Sequence, residues 1–245
     1  MLTRRCFVDE ELVEGRCIEL SGRAFHYLAV VLRLKPGDEL VLFNHDCVEV
    51  TAKILAVRGK LLQIQLLDLC NSHTESPLSV HLFQAVSRGE KMDWVMQKST
   101  ELGVASITPI FTARCGVKIT GTRLEKRCAH WQSVVMSACE QSGRCHVPQV
   151  NSPLTFMAFL KTISSDMPYF ACLPKATDFA HQLATKPTSC GLVIGPEGGF
   201  DHEEVALLHA HSIQSMSLGP RILRTETAPI VALALLQSRF GDICS

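Results

Sequence analysis

No sign of charge dominates this 245-residue chain: 24 Lys and Arg balance 24 Asp and Glu. Zero net charge excludes a uniformly basic nucleic-acid binder, so any RNA contact must come from local clusters. No C-x-x-C pair occurs among the 11 cysteines, and their count is odd. Neither a disulfide framework nor a zinc ribbon is indicated, and the thiols read as reduced and mostly buried. Cys139, Cys145 and His146 form the tightest grouping and fall short of a four-ligand metal set; the other histidines show no metal spacing. The longest notable apolar run, Ala228 to Leu236, is too short to span a bilayer. Acidic residues enter MLTRRCFVDEEL before any apolar stretch, so no signal peptide is read. The chain is expected to be soluble and cytoplasmic, with neither membrane nor metal as a partner.

With 47% hydrophobic residues there is enough apolar surface for one large domain, or a large and a small one. Residues 1–72 read as short strands: EGRCIEL, DELVLFN, VEVTAKILAV and LLQIQLLDL are alternating or β-branched. Between the first two, Ser21 to Leu34 follows a helical period. Ser21 is placed as its cap, and Phe25, Leu28, Val31 and Leu32 share a face. Lys35-Pro36-Gly37-Asp38 reads as a turn back into a strand. A small β-barrel with one helix is the expected packing. The polar stretch CNSHTESP, Cys70 to Pro77, marks a boundary.

From residue 78 to 245 the pattern alternates between strand and helix. LSVHLFQAV, VASITPIF, MPYFACL, SCGLVIG and SMSLG read as strands. Lys91–Leu102 (closed by Gly103), Arg123–Ser142, a segment from about Asp201, and Thr227–Phe240 read as helices. Alternation of this kind predicts an α/β domain with a parallel sheet covered on both faces.

Two loops carry chemistry. In GLVIGPEGGFDHEEV a strand ends at Ile194, and Gly195-Pro196-Glu197-Gly198-Gly199 leaves backbone amides open to a ligand. Asp201 and Glu204 then spell a capping box. The loop lacks the Gly-Lys-Ser/Thr of a nucleotide hydrolase and the spacing of G-x-G-x-x-G. Its helix opens with Asp201, Glu203 and Glu204, which would repel phosphate, so a neutral ribose or adenine suits it better. In SLGPRILRTETAPIVALALLQ a strand ends at Leu218, a second Gly-Pro loop carries Arg221 and Arg224, and a nearly all-apolar helix follows. That helix is expected to be buried.

IGPEGGF followed by LGPRILRTETA resembles the paired cofactor loops of RsmE-type members of the SPOUT superfamily. RGEKMDWVMQKSTELGVASITPIF is similar to that family's central helix and strand, HWQSVVMSACEQSGRCHVPQV to its Gln-Ser-Gly-Arg motif, and HYLAVVLRLKPGDEL to its PUA-like N-terminal domain. The resemblance runs through the whole chain. It implies a SPOUT α/β methyltransferase domain with a C-terminal trefoil knot after a PUA-like β-barrel, acting as a homodimer. It implies S-adenosyl-L-methionine (SAM) as cofactor and N3 of a uridine in 16S rRNA of the 30S subunit as target. The cofactor residues would be Leu173, ahead of a helix at about Asp178, then Ile194, Gly195, Pro196, Glu197, Gly198 and Gly199, with Leu218, Gly219, Ile222, Leu223 and Thr225. Two departures from the family pattern stand out: Ala113-Arg114-Cys115 in place of Glu-Arg-Ser, and Pro229 early in the last helix, where the first turn tolerates proline.

Methylating uracil N3 requires that its proton be removed or its anion stabilised. Arg221 and Arg224 are the expected electrostatic residues and Glu226 the expected proton acceptor, with Glu197 second. RNA contact is expected from Arg4, Arg5, Arg23, Arg33 and Lys35 in the small domain. Arg88, Lys91 and Arg144 are candidates in the large one, together with a cluster of Arg114, Lys118, Arg123, Lys126 and Arg127 that only Glu125 opposes. Gln141-Ser142-Gly143-Arg144 also reads simply as a helix C-cap. A non-catalytic RNA-binding assembly factor and a SPOUT enzyme with another RNA target remain alternatives.

Overall fold

The computed structural model describes residues 4–70, 74–117, 119–173 and 186–243. It divides into two compact units, Met1–Glu75 with Cys139–Val147, and Ser76–Ala138 with Pro148–Ser245. No helix among the described residues is long and apolar enough to cross a membrane.

The first unit holds a five-stranded sheet ordered β1 (Arg5–Phe7), β3 (Glu39–Phe43), β4 (Glu49–Arg58), β5 (Leu61–Cys70) and β2 (Cys17–Leu20). β1 runs parallel to β3 and the other pairs are antiparallel. Period-two burial brings Ala52 and Ile54 of β4 opposite Leu66 and Ile64 of β5, on the core side. Two bulges interrupt the β4–β5 pairing and bend it. Hydrogen bonding among the described residues does not join β1 to β2, so the expected barrel is a sheet with two edges.

The helix expected over Ser21–Leu34 is shorter and differently wound. One α-helical turn, α1 (Gly22–Phe25), passes into a π-helical segment, His26–Val31. There Leu32 N–H reaches the carbonyl of Tyr27, five residues back, at 2.9 Å. The wider turn breaks the 3.6-residue stripe. Leu28 is fully buried, but Val31, assigned to the same face, is 56% exposed. Ser21 makes no side-chain capping bond. The turn at Lys35–Asp38 forms as read, with Asp38 N–H on the Lys35 carbonyl at 3.0 Å.

The second unit has a parallel sheet ordered β12 (Gln214–Met216), β10 (Tyr169–Cys172), β11 (Ser189–Ile194), β6 (Ser79–Ala85), β7 (Val104–Phe111) and β8 (Gln149–Val150). β9 (Leu154–Thr155) also pairs with β7. The central strands are nearly continuous apolar runs because both faces are covered. The helices are α2 (Lys91–Glu101), α3 (Thr122–Ser142), α4 (Phe156–Leu160), α5 (His202–Ala210) and α6 (Ala228–Phe240). Phe83, Phe156, Phe159, Tyr169 and Phe200 form an aromatic core layer. α6 buries Ala232, Leu233, Leu236 and Phe240, packs on α2, and carries Pro229 in its first turn as expected. The first strand of this unit, β6, lies between β11 and β7. Open parallel sheets bind ligands at such a switch point, beyond the carboxyl ends of their strands.

Candidate functional site

The loop after β11 is shaped by its own hydrogen bonds. Gly199 N–H closes a turn onto the Pro196 carbonyl at 2.9 Å, and Gly199 has the left-handed φ of +66° that glycine tolerates best. The capping box forms: Glu204 N–H donates to Asp201 at 2.7 Å, and Asp201 N–H to Glu204 at 3.0 Å. The second oxygen of Glu204 accepts from Ala113 N–H at 2.7 Å, which ties the loop after β7 to α5. Arg114 then donates to the Gly198 carbonyl at 3.0 Å. A Cβ on Gly198 would stand 3.2 Å from the Arg114 side chain, so the glycine makes room for the arginine.

The loop after β12 begins at Ser217, two residues earlier than expected, and runs to Thr227. Thr225 Oγ1 donates to the Gly195 carbonyl at 2.7 Å and accepts from Gln84 Nε2 at 3.2 Å. Both side chains are buried. This one hydroxyl joins the two Gly-Pro loops and fastens them to the end of β6. Thr225→Val keeps the shape but strands a donor and an acceptor. It should lower stability by about 1–3 kcal/mol in denaturant unfolding, and an unchanged midpoint would show that the joint carries no load.

Between the loops lies a cavity of about 570 Å³. Leu173, Ile194, Gly195, Pro196, Glu197, Gly198, Gly199, Ile222, Leu223 and Thr225 of the expected cofactor set line it. Leu218 and Gly219 line an adjoining cavity of about 560 Å³, with Cys172, Leu173, Ile222 and Leu223 common to both. Ile222, 91% exposed, projects where the two share a wall. Burial pushes the Cys172 thiol up to about 12, so it is a neutral wall and not a nucleophile. The helix expected at about Asp178 lies outside the described residues.

The expected catalytic residues do not converge equally. Arg224 lines the first cavity, whereas Arg221 lines the second. Glu226 stands beside the first: one carboxylate oxygen is 3.9 Å from Arg224 Nη1, the other 3.8 Å from Lys91 Nζ. That second oxygen is buried and has no hydrogen-bond partner. Lys91 also donates to Glu197 at 2.9 Å, so it sits between two carboxylates at the cavity wall, with its side chain 34% exposed. Burial raises the Glu197 carboxyl, but bonds from Lys91 and from backbone N–H groups, with the Lys91 charge, outweigh it and hold the group below its usual range. Glu197 is thereby kept ionised. Lys91 in this role and Gln84 were missed, because their partners are 106 and 141 residues away.

The basic set divides by environment. Arg33 and Lys35 are exposed, and Arg4 meets Asp38 at 3.5 Å. Arg23 is paired with Glu140 at 2.9 Å. Arg5 is held by Glu49 and donates to the Arg144 carbonyl at 3.2 Å. Arg144 is 4% exposed, with Glu75 at 2.6 Å. For Arg5 and Arg144 the expected RNA contact gives way to internal ion pairs, since a buried guanidinium must be matched. Gly143, at φ +86°, closes α3 as the C-cap reading had it. Arg114 rims the 570 Å³ cavity, Arg88 and Arg123 line a separate one, and Lys118 lies outside the described residues. No cluster of three or more His, Cys, Asp or Glu suited to a metal occurs among the described residues.

Comparison with known proteins gives a consistent result. Residues 74–237 match a family described as an RNA methyltransferase domain, and residues 20–67 an RNA methyltransferase PUA domain. Ribosomal RNA small subunit methyltransferase E of Buchnera aphidicola from Schizaphis graminum is 36% identical over 239 residues, 98% of this chain and 97% of the relative. The structure of a Legionella pneumophila methyltransferase in complex with the cofactor SAM superposes with a TM-score of 0.93 at 40% identity, over 98% of this chain and 99% of that one. A Neisseria gonorrhoeae ribosomal RNA small subunit methyltransferase E bound to S-adenosyl methionine gives 0.91 at 34% identity, with the same coverage.

Proposed function

Since the chain belongs to the ribosomal RNA small subunit methyltransferase E family, we propose that it methylates N3 of a uridine in the 16S rRNA of the small ribosomal subunit, with SAM as methyl donor. The observation that carries this reading is the Thr225 joint, which draws two Gly-Pro loops into one cavity beside Glu226 and Arg224. The residues fit the cofactor. A volume near 570 Å³ lies within the range of about 300–1,000 Å³ common for small-molecule sites. Leu173, Ile222 and Leu223 offer apolar walls, and residues 195–199 offer backbone polar groups to a neutral nucleoside. Ionised Glu197 suits a cationic ligand. When bound, SAM supplies a methyl group already activated by its sulfonium.

The protein's own task is therefore to position the base and handle one proton. Glu226 takes the proton from uracil N3 through the carboxylate oxygen that stands 3.9 Å from Arg224 Nη1, the other oxygen being buried toward Lys91. Arg224, exposed at the cavity and anchored by Glu226, faces the negative charge that spreads over N3 and the ring carbonyls. Lys91 lies between the two carboxylates and offsets their mutual repulsion. The target nucleotide must leave its stack to reach this site.

The same reading makes the C-terminal segment a trefoil knot. β12 pairs with β10 instead of β11, and Thr225 beyond it bonds back to Gly195 in the earlier loop. It also makes the protein a cytoplasmic homodimer acting on the 30S subunit. Leu235 on α6 and Trp94 on α2 remain exposed and would be covered by a second copy.

Transfer of labelled methyl from SAM to 30S subunits from a strain lacking this modification, with the nucleoside identified by mass spectrometry, tests the proposal. 3-Methyluridine is expected. A different methylated nucleoside would overturn the target, and no transfer would leave an RNA-binding protein without catalysis.

A further inference from the structure

A third cavity, of about 340 Å³, opens beside the first, and nothing in the methyl-transfer reading uses it. The segment Val86–Met92 forms one wall, residues around Gly116 another, and α3 the third. Three arginines, Arg88, Arg123 and Arg127, line it. Its lining contains no carboxylate, and none of the three arginines enters an ion pair with a described residue. Arg5, Arg23 and Arg144, by contrast, are each paired with a carboxylate.

The arrangement is built. Arg123, Arg127 and Trp131 recur every fourth residue of α3, so they form one stripe along the helix. Arg88 Nε donates to the Gly116 carbonyl at 2.9 Å, which fixes its guanidinium. A Cβ at Gly116 would stand 2.7 Å from that Nε, so only glycine lets the arginine settle there. Trp131 is 1% exposed, and its indole N–H has no acceptor. A buried donor without a partner is rare in folded proteins. The cavity thus offers guanidinium forks, all donors, to an anion rich in acceptor oxygens, with Trp131 packed in its wall. Guanidinium forks match phosphate in shape as well as charge.

The location indicates which phosphate. Val86–Met92 sends Arg88 to this cavity and Lys91 to the methyl-transfer cavity, and Arg88 N–H lies 3.5 Å from Glu197. The segment after β7 likewise gives Arg114 to one and Gly116 to the other. We propose that this cavity seats a backbone phosphate of the substrate RNA flanking the methylated nucleotide, and so holds the strand while the base is turned into the site. The inference rests on the methyltransferase reading.

Arg123→Gln/Arg127→Gln, Arg127→Lys and Trp131→Phe test it in methyl transfer to undermodified 30S subunits at several salt concentrations. In the double variant KM for subunits should rise about tenfold. Its salt dependence should flatten by about 0.7–0.9 in log–log slope for one lost phosphate contact. SAM affinity by calorimetry should stay at the parent value. Trp131→Phe, which alters the wall and no charge, should leave the salt slope at the parent value. If the double variant loses SAM binding and has unfolded, Arg127→Lys carries the test, since it keeps the charge and loses the fork; its KM should still rise. Parent-like KM and salt slope in folded variants would overturn the proposal and leave the cavity to an acidic protein partner. Absence of methyl transfer by the parent protein is a different result, because it would sink the function beneath the inference.

Discussion

Glu226→Gln should lower the rate of methyl transfer at saturating RNA by about 10²–10⁴-fold, the range in which a positioned general base contributes. The substitution keeps the size and planarity of the side chain. It removes the charge that meets Lys91 at 3.8 Å and Arg224 at 3.9 Å, and with it the capacity to accept a proton. Lys91 retains its bond to Glu197, so the cavity wall should stand. The loss should therefore appear in kcat, while SAM affinity and KM for subunits change little. Lys91→Met is the informative companion. It leaves the acceptor in place while removing the cation 3.8 Å from it and the bond to Glu197, so a smaller effect on kcat is expected. A Glu226→Gln enzyme within a few fold of the parent would show that Glu226 only anchors Arg224, and that charge stabilisation by arginine suffices.

Glu140→Ala should destabilise the first unit by about 1–3 kcal/mol, the range for leaving a buried hydrogen-bonding group without its partner. Glu140 is the last acidic residue of α3, and its side chain is nearly inaccessible. It accepts the Phe7 N–H of β1 at 3.0 Å and both terminal nitrogens of Arg23 at 3.0 and 2.9 Å. One carboxylate therefore joins three segments of that unit. Truncation leaves a buried backbone donor unmatched and frees a half-exposed guanidinium, and the first of these costs more. Glu140→Gln keeps an acceptor for Phe7 and should lose about half as much. Denaturant unfolding followed by a probe in the first unit would measure both. Equal losses for Gln and Ala would mean that the charge, and not the hydrogen bond to Phe7, holds the segments together.

The features legible in the chain are those whose partners lie close in sequence. Asp201 and Glu204 bond each other across one helical turn, and the box forms as read. Gly103 and Gly143 stop their helices at positive φ, as their positions foretold. Apolar runs and alternations mark nearly every long strand. The short elements β1, β8, β9 and α4 were not read, because two to five residues carry too little periodicity. In the helix over Ser21–Leu34 three of the four residues expected on the buried face, Phe25, Leu28 and Leu32, do pack on the core, and only Val31 turns out. No local preference announces the π-helical turn that moves it.

For the site, Gly-Pro loops, Arg224, Glu226 and Thr225 were visible as residue types in a pattern. What they do was not. Composition and motif by themselves determined the alternation of strand and helix, the parallel class of the second sheet and the capping of its helices, because backbone propensity, capping and burial period act over a few residues. Tertiary structure alone decided which charges remain free. Arg5 and Arg144 are neutralised by Glu49 and Glu75, whereas Arg88, Arg123 and Arg127 face a cavity unmatched. It also drew Gln84 and Lys91 into the site from far along the chain. A charge or a hydrogen-bond donor acts over a few ångströms of space, and only folding sets which residues stand that close.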